Sequence, residues 1–360
     1  MNERELSPVL VIGTGLVGAS VAHALTAAGL TVHLRDLVPS HAQVAASRGA
    51  GTTDEPDADA VRLVVVAVPP TALAGTIADA LASFPHATVT DVGSVKGTVL
   101  AQLRATGADL SRYVGSHPMA GSQRVGPLTA SPELFVDRTW VITPHDTSAA
   151  HAVLDVTEVA RLCRARSVSM GAAHHDEAVA QVSHLPHLVS VLMGARLTEV
   201  PAEHLRLAGQ GVRDVTRIAG SDPLLWRQIL DANSAAVRSE LAVLLADLQA
   251  LVDGFDDPDV LTAILERGRE GTRALPGKHG TAPVDYADVV IEIPDAPGSL
   301  ARLFRDIEAA GVNIEDLSID HDNSREVGFL SVKVTPDRAE LLRAAMTDAG
   351  WTLRDQDAAL

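Results

Sequence analysis

The chain has 360 residues, 46% of them hydrophobic, and a formal net charge of −17 at pH 7. This length exceeds what a single hydrophobic core usually supports, so two or three domains are expected. The acidic charge argues against nucleic acid and against an anionic membrane surface as partners, because both attract basic patches. The single cysteine, Cys163, excludes an internal disulfide framework and indicates a reducing, cytoplasmic location.

The N-terminus and the apolar runs give no sign of a membrane. Residues 1–5 are not a basic start followed by an apolar run, so no signal peptide is predicted. No stretch of about 18 uncharged, wholly apolar residues, the length needed to span a bilayer, stands out. A chain without membrane contact is therefore expected.

The first 148 residues alternate short apolar runs with helical patterns. Strands are predicted at residues 9–12, 31–35, 63–68 and 87–92, and a helix that stops at Gly29 separates the first two. Strands separated by helices are typical of a parallel, doubly wound sheet. Residues 1–148 are therefore predicted to form an α/β domain.

The rest of the chain divides into two further domains. Residues 149–267 show helical periodicity without strands, with long patterns over 176–196 and 234–252, and predict an all-helical domain. Residues 268–285 hold six glycines and prolines and predict a linker. Residues 286–360 follow the order β-α-β-β-α-β, which is that of a ferredoxin-like, split βαβ domain.

A glycine-rich turn follows the first predicted strand and opens a helix. Its residues are Gly13, Thr14, Gly15, Leu16, Val17 and Gly18. Glycines at this spacing allow a tight turn and close approach to a pyrophosphate, while the helix amino terminus presents unpaired N–H groups to the phosphates. This context predicts a Rossmann-type dinucleotide-binding domain.

Asp36 follows the second predicted strand, where a carboxylate can accept hydrogen bonds from the adenine-ribose hydroxyls. NAD is therefore the predicted cofactor, because a carboxylate there repels the 2′-phosphate of NADP. Arg35 and Arg48 leave NADP open as the alternative. Side chains alternate along a strand, so Arg35 is expected on the face opposite Asp36.

Four later segments carry polar residues in loops or helices. They are residues 91–97 with Ser94, 115–122 with His117, 182–187 with His184, and 211–226 with Arg213 and Arg217. Taken together and in this order, they resemble the prephenate dehydrogenase family over residues 9–283. The tail, with Asp295, Pro297 and Gly298 in one turn and Asn313 further on, resembles an ACT domain, which some members of that family carry.

The resemblance implies a function and roles for single residues. It implies NAD-dependent oxidative decarboxylation of prephenate to 4-hydroxyphenylpyruvate, on the route to tyrosine. His117 is then the neutral imidazole that accepts from the ring hydroxyl, and Ser94 orients both groups. Arg217 is implied to pair with a substrate carboxylate, and His184 to line the pocket. Arg213 and Gln123 are implied at the edge of the pocket.

These residues also have ordinary structural interpretations. His117 beside Pro118 fits a loop histidine, Arg217 a surface ion pair, and Ser94 the cap of the next helix. Lys96 is expected to be solvated. His184 and His187, with the nearby His174, His175 and Asp176, raise the question of a metal. No ligand set is complete and hydride transfer needs none, so no metal is predicted.

Three other functions remain open. Arogenate dehydrogenase shares these motifs, although Gln123, where many family members have Glu, removes an acid that would favour the ammonium of arogenate. The β-hydroxyacid dehydrogenases share the glycine turn and a helical domain, but residues 209–214 lack the lysine that they use. A non-catalytic sensor of dinucleotide and amino acid is disfavoured by the joint presence of Ser94, His117 and Arg217.

The tail and the longest helical pattern predict regulation and assembly. The tail is expected to bind L-tyrosine or another aromatic amino acid through Asp295, Pro297, Gly298 and Asn313, and the alternative is a purely structural or dimerising domain. Residues 234–252 carry a broad apolar stripe that predicts either a homodimer through the helical domain or an internal core. The stripe consists of Val237, Leu241, Leu244, Leu245, Leu248 and Leu251.

Overall fold

The computed structural model describes residues 6–120, 126–275, 286–322 and 327–354 of the chain. The chain divides into two compact units, Met1–Gln249 and Ala250–Leu360. The first unit holds the predicted α/β domain and most of the helical domain, and the second holds the tail.

A seven-stranded sheet forms the centre of the first unit, in the order β2-β1-β3-β4-β5-β6-β7. Its strands are β1 (Val9–Ile12), β2 (Val32–Arg35), β3 (Leu63–Val66), β4 (Thr88–Asp91), β5 (Tyr113–Pro118), β6 (Thr139–Thr143) and β7 (Arg166–Ser169). Strands β1 to β5 are parallel, whereas β6 is antiparallel to β5 and parallel to β7. The predicted Rossmann-like parallel sheet is confirmed, with two strands of opposite direction added at one edge.

Both faces of this sheet are covered, which explains the continuous apolar runs of its central strands. Val9 and Val11 of β1 belong to one core, and Leu10 between them belongs to the other, on the opposite face. The five helices of this domain are α1 (Leu16–Ala27), α2 (Pro39–Ser47), α3 (Pro70–Ser83), α4 (Gly97–Ala105) and α5 (Ala150–Leu162).

The first domain extends beyond residue 148, where the sequence placed its end. Buried Val156 and Val159 of α5 belong to the same core as β1, and β7 pairs with β6 from Arg166 onward. The domain therefore ends near residue 170. The sequence missed β7 because all four of its residues are exposed, so it lacks the apolar run that marks the other strands.

The helical domain begins with a continuous helix. It consists of α6 (Ala172–Val179), a π-helical turn (Ala180–His184) and α7 (Leu185–Arg196). The N–H of Leu185 donates to the carbonyl of Ala180, five residues back, immediately before Pro186. Proline has no N–H and clashes with the carbonyl four residues back, so a widened turn at this point is expected. The helices that follow are α8 (Ala202–Leu205), α9 (Gln210–Thr216), α10 (Pro223–Ala232) and α11 (Ser234–Asp253).

Among the described residues, the helical run Ala172–Glu199 is long and apolar enough to cross a membrane, by length and composition alone. Residues 178–195 of this run carry no Asp, Glu, Lys or Arg. The run contains buried His175, Asp176 and His184, and Asp176 bonds to the start of α4. This helix therefore joins the helical domain to the first domain.

The second unit contains α12 (Pro258–Arg273) and a four-stranded antiparallel sheet in the order β11-β8-β10-β9. Its elements are β8 (Ala287–Pro294), α13 (Ser299–Ala309), β9 (Asp316–Asp322), β10 (Val327–Val334), α14 (Pro336–Asp348) and β11 (Thr352–Arg354). The predicted order β-α-β-β-α-β is observed. Helix α12 continues through Gly268 and Gly271, so the predicted linker begins later than residue 268, and residues 276–285 lie outside the described part of the chain.

Candidate active site

The glycine turn leaves space at one of its three glycines. Gly13 has a φ of +94°, and a methyl group on it would lie 2.4 Å from the carbonyl oxygen of Ala67. A methyl group on Gly18 would lie 2.0 Å from the carbonyl oxygen of Gly13. One on Gly15 would meet nothing within 4 Å. Gly13 and Gly18 are therefore needed for the turn and its packing, and the open side at Gly15, at the start of α1, fits a pyrophosphate.

Asp36 binds the glycine turn from the end of β2. Its Oδ2 accepts from the backbone N–H of Thr14 at 2.6 Å and from the Thr14 hydroxyl at 2.9 Å. Its Oδ1 accepts from the N–H of Val38 at 2.8 Å. A carboxylate oxygen has two lone pairs, so Oδ1 keeps capacity for a ribose hydroxyl. Arg35 is paired with Glu55 and is not directed at the same point.

Three groups of site residues lie at the carboxyl edge of the parallel strands, which is the ligand edge of such sheets. The glycine turn follows β1, Ser94 lies in the loop after β4, and His117 is the second-to-last residue of β5. Strand β5 is three strand spacings from β1, about 14 Å. Ser94 is half-buried and does not cap α4, because that helix begins at Gly97 without a side-chain cap.

His117 is half-buried and contacts a second imidazole. Its Nδ1 lies 2.9 Å from Nε2 of His175, and the two rings meet edge to face. Burial holds the pKa of His117 well below its usual value of 6.5, and His175, Lys96 and His184 lower this pKa further. The imidazole is therefore neutral at pH 7, as an acceptor for a hydroxyl proton must be.

Lys96 is buried, contrary to the expectation that it is solvated. It is 1% exposed, donates to the Asp91 carboxylate and donates at 2.7 Å to the carbonyl of Ser116. The Tyr113 hydroxyl donates to the other oxygen of Asp91 at 2.8 Å. Burial holds the pKa of Lys96 below its usual value, although Asp91 opposes this shift. Burial and the nearby Asp91 raise the pKa of Tyr113. This ion pair joins the ends of β4 and β5 next to His117.

His184 ends the π-helical turn and is 2% exposed. Its Nδ1 lies 3.2 Å from Nδ2 of Asn233, and its ring meets Trp226 edge to face. His187, three residues on, stacks on the same indole, with ring centroids 3.4 Å apart. Burial lowers the pKa of His184 to about 4 and that of His187 below 6.5, so both are neutral at pH 7.

The two predicted arginines lie further along the helical domain. Arg213 is exposed on α9, and Arg217 is exposed at the start of the turn Arg217–Gly220, which packs against α7. Helix α7 follows directly on His184. That Arg217 and His117 meet around one substrate stays a prediction, and Gln123 lies outside the described residues.

Three further residues of the site, His175, Asp176 and Asn233, are not predicted from the sequence. Asp176 accepts from His175 Nδ1 at 2.8 Å, from Lys96 N at 2.9 Å and from Gly97 N at 2.7 Å. The signal in the sequence is the run His174-His175-Asp176, which by itself suggests only a metal site. Within the described part of the chain, no group of three or more His, Cys, Asp or Glu side chains could hold a metal ion.

The predicted effector residues occupy both ends of α13 in the second unit. Gly298 caps its start with a φ of +89°, and a methyl group on it would meet nothing within 4 Å. Asp295 and Pro297 are exposed in the same turn, whereas exposed Asn313 follows the end of α13 and donates to Glu315. Eleven residues of helix span about 16 Å. That Gly298 and Asn313 contact one ligand stays a prediction.

Comparison with known families follows the same division of the chain. Residues 21–169 match the model of the nucleotide-binding domain of prephenate dehydrogenase, and residues 171–261 match the model of its dimerization domain. The chain is also 35% identical over 355 residues to a probable prephenate dehydrogenase from Streptomyces niveus, covering 95% of this chain and 98% of that protein. This chain belongs to the prephenate dehydrogenase family. The boundary between the two models agrees with the end of β7.

Two further relatives match about three quarters of the chain. A cyclohexadienyl dehydrogenase from Zymomonas mobilis is 32% identical, over 76% of this chain and 98% of its own length. The crystal structure of prephenate dehydrogenase from Aquifex aeolicus, in complex with hydroxyphenyl propionate and NAD⁺, is 26% identical. It superposes with a TM-score of 0.66 and covers 75% of this chain and 99% of that one. The predicted family is thereby confirmed, and the match to a nucleotide-binding domain agrees with the predicted dinucleotide cofactor.

Proposed function

We propose that this protein catalyses the NAD-dependent oxidative decarboxylation of prephenate to 4-hydroxyphenylpyruvate. The observation that carries the proposal is His117, a neutral, half-buried imidazole at the ligand edge of a dinucleotide-binding sheet. Membership in the prephenate dehydrogenase family supports the same substrate. The product lies on the route to tyrosine.

Prephenate carries a ring hydroxyl, a ring carboxylate and a pyruvyl side chain. Bound NAD⁺ supplies the acceptor for the hydride that leaves the hydroxyl-bearing ring carbon, while the ring carboxylate departs as carbon dioxide. His117 accepts a hydrogen bond from the hydroxyl and raises the electron density on its oxygen, which helps the hydride to leave. Any proton that His117 takes returns to this oxygen, because the product keeps its hydroxyl. Such a contact contributes about 10²–10⁴ in rate.

The remaining residues bind and orient the substrate in this proposal. Ser94 hydrogen-bonds near the hydroxyl and keeps it in line with His117. Arg217 binds a carboxylate through its planar guanidinium, and Arg213 supports it at the edge of the pocket. His184 lines the pocket as a neutral imidazole.

The decisive experiment is a spectrophotometric assay of the purified protein with prephenate and with arogenate, each with NAD⁺ and with NADP⁺. Rapid formation of NADH with prephenate is the expected result. A higher kcat/KM with arogenate would assign the alternative, arogenate dehydrogenase activity. A folded protein that reduces neither cofactor with either substrate would leave a non-catalytic sensor, and the proposal would be rejected.

We also infer that the protein is a cytoplasmic homodimer that assembles through the helical domain. Within the described chain, Val237 is the one buried residue of α11, whereas Leu245 and Leu248 are 66% and 51% exposed. These exposures favour a partner copy over an internal core of a single chain as the cover of the apolar stripe of α11. The match to the dimerization-domain model supports assembly through this domain.

For the tail we propose an ACT domain that lowers activity when it binds L-tyrosine or another aromatic amino acid. The exposed backbone at Gly298 and the start of α13 support an amino-acid carboxylate site there. Inhibition requires that the ligand bind the less active state more tightly. Removing residues 285–360 should abolish inhibition by tyrosine, and equal inhibition before and after the deletion would reject the role.

A further inference from the structure

The partners of Asp176 determine which nitrogen of His175 carries a proton. The backbone N–H groups of Lys96 and Gly97 can only donate, so the Asp176 carboxylate accepts from both. Its Oδ1 also faces Nδ1 of His175 at 2.8 Å, and a carboxylate that accepts requires a proton on that nitrogen. Because the ring proton is on Nδ1, the lone pair of His175 lies on Nε2.

The contact with His175 determines the tautomer of His117. Nδ1 of His117 lies 2.9 Å from Nε2 of His175. Since that Nε2 has a lone pair and can only accept, Nδ1 of His117 must donate and carries the proton. The Nε2 atom of His117 therefore keeps its lone pair. An imidazole that accepts from a substrate hydroxyl needs a free nitrogen of this kind.

His184 is held in the opposite tautomer by Asn233. The Nδ2 atom of Asn233 lies 2.8 Å from the carbonyl oxygen of Asp176, which can only accept, so this atom is the NH₂ group of the amide. Its second hydrogen points to Nδ1 of His184 at 3.2 Å. Nδ1 of His184 therefore accepts, and Nε2 carries the proton and can donate.

We infer that His175, Asp176 and Asn233 are positioning residues that fix His117 and His184 in opposite tautomers, one an acceptor for the substrate hydroxyl and the other a donor to a substrate oxygen. Asp176 acts on both histidines. Its carboxylate accepts from His175, which contacts His117, and its backbone carbonyl accepts from Asn233, which contacts His184. All three residues come from the helical domain, whereas His117 comes from β5. The helical domain thus sets the protonation pattern of the site and does not only enclose it. The assignment of substrate groups rests on the proposed function.

The test that does not depend on turnover is ¹⁵N NMR of the full chain with labelled histidine. The chain has 14 histidines, so His117→Gln and His184→Gln spectra identify the two rings by difference. At pH 7.5 we expect the pyrrole-type nitrogen of His117 to be Nδ1 and that of His184 to be Nε2. A proton on Nε2 of His117, or on Nδ1 of His184, would overturn the inference.

The second test is the variant His175→Gln, whose amide can face His117 with either its oxygen or its nitrogen and so no longer fixes the tautomer. We expect kcat with prephenate to fall about 10–100-fold, as for other outer partners of functional histidines, while KM changes little. The control is His174→Gln, because His174 precedes it on α6 and is 73% exposed. A folded His175→Gln protein with the kcat of the control would contradict the inference. Wild-type protein without turnover would instead reject the proposed function and leave the NMR test intact.

Discussion

Lys96 donates to the carboxylate of Asp91 in an ion pair that solvent does not reach, since the two side chains are 1% and 0% exposed. Both ions have further partners: Lys96 donates to the carbonyl of Ser116, and Asp91 accepts from the N–H of Gly93 and from the hydroxyl of Tyr113. The pair fixes the loop after β4 against β5, and thus Ser94 relative to His117. Lys96 also lowers the pKa of His117, because a nearby positive charge disfavours the imidazolium.

The variant Lys96→Met should destabilise the protein strongly. It keeps the length of the side chain but leaves the carboxylate of Asp91 buried without its cation, which typically costs about 3–5 kcal/mol. Adding Asp91→Asn removes the uncompensated charge, so the double variant should regain most of the loss. Urea unfolding of the parent, the single variant and the double variant gives their free energies of unfolding. The control is Lys333→Met, at a side chain that is 45% exposed, which should stay within about 0.5 kcal/mol of the parent. A double variant no more stable than Lys96→Met would show that the charge is not the cause.

The contrast between Lys96 and the glycine turn shows what the sequence could predict. The sheet and the turn depend on local signals, such as the alternation of Val9, Leu10 and Val11 and the glycines that follow them. The burial of Lys96 depends on Asp91, five residues before it, and on Tyr113, which only the pairing of β4 with β5 brings close. A lysine in a short loop therefore resembles a solvated residue until the strands are paired.

The same limit applies to the partners of His117. His175 lies 58 residues further on, and its contact requires that α6 pack against the first domain. The resemblance to a known family identified His117 but gave no reason to select His175, Asp176 or Asn233. Those residues can be identified as part of the site only from the hydrogen-bond partners that they contact in the folded chain.

The pH profile should show that His117 acts as a neutral base. Its pKa lies well below 6.5, so the active form persists as the pH falls through 6.5 and is lost only when the pH reaches this lowered pKa. We expect kcat/KM with prephenate to be constant from pH 7.5 to 6.5 and to fall at lower pH. His117→Asn should lower kcat about 10²–10⁴-fold and remove this acid limb. An acid limb centred at 6.5 or above would contradict the assignment.

Arg217→Ala should weaken prephenate binding without affecting NAD⁺. Loss of a charge-assisted hydrogen bond to a carboxylate costs about 1.5–3 kcal/mol, or roughly 10–100-fold in KM. Arg217→Lys should recover part of this loss, because it restores the charge but not the planar, two-point contact. Steady-state kinetics of both variants, with Arg161→Ala on α5 as the control, tests the role. An unchanged KM for prephenate in Arg217→Ala would exclude Arg217 from the pocket.

Asp36→Ala should reduce the preference for NAD over NADP. The variant loses a carboxylate that can accept from the ribose hydroxyls, so kcat/KM with NAD⁺ should fall about 10–100-fold. With NADP⁺ the fall should be smaller, because the repulsion of the 2′-phosphate is lost as well. The ratio of kcat/KM with NAD⁺ to kcat/KM with NADP⁺ tests the contact of Asp36 with the ribose. Loss of the hydrogen bonds from Asp36 to Thr14 should affect both cofactors equally and leave this ratio unchanged. Exposed Asp59 provides the control, Asp59→Ala, and an unchanged ratio in Asp36→Ala would leave Asp36 only as an anchor.

The apolar stripe of α11 provides the test of assembly. Leu241, Leu245 and Leu248 follow the i, i+4, i+7 spacing of one helix face, and a partner copy would bury their side chains. A carboxylate at that interface would be desolvated without a partner, so Leu245→Glu should convert the dimer to a monomer at micromolar concentration. Leu154→Glu is the matched control, because Leu154 is also 66% exposed but lies on α5 of the first domain. Sedimentation velocity distinguishes the species, and a Leu245→Glu protein that remains dimeric would place the interface on another surface.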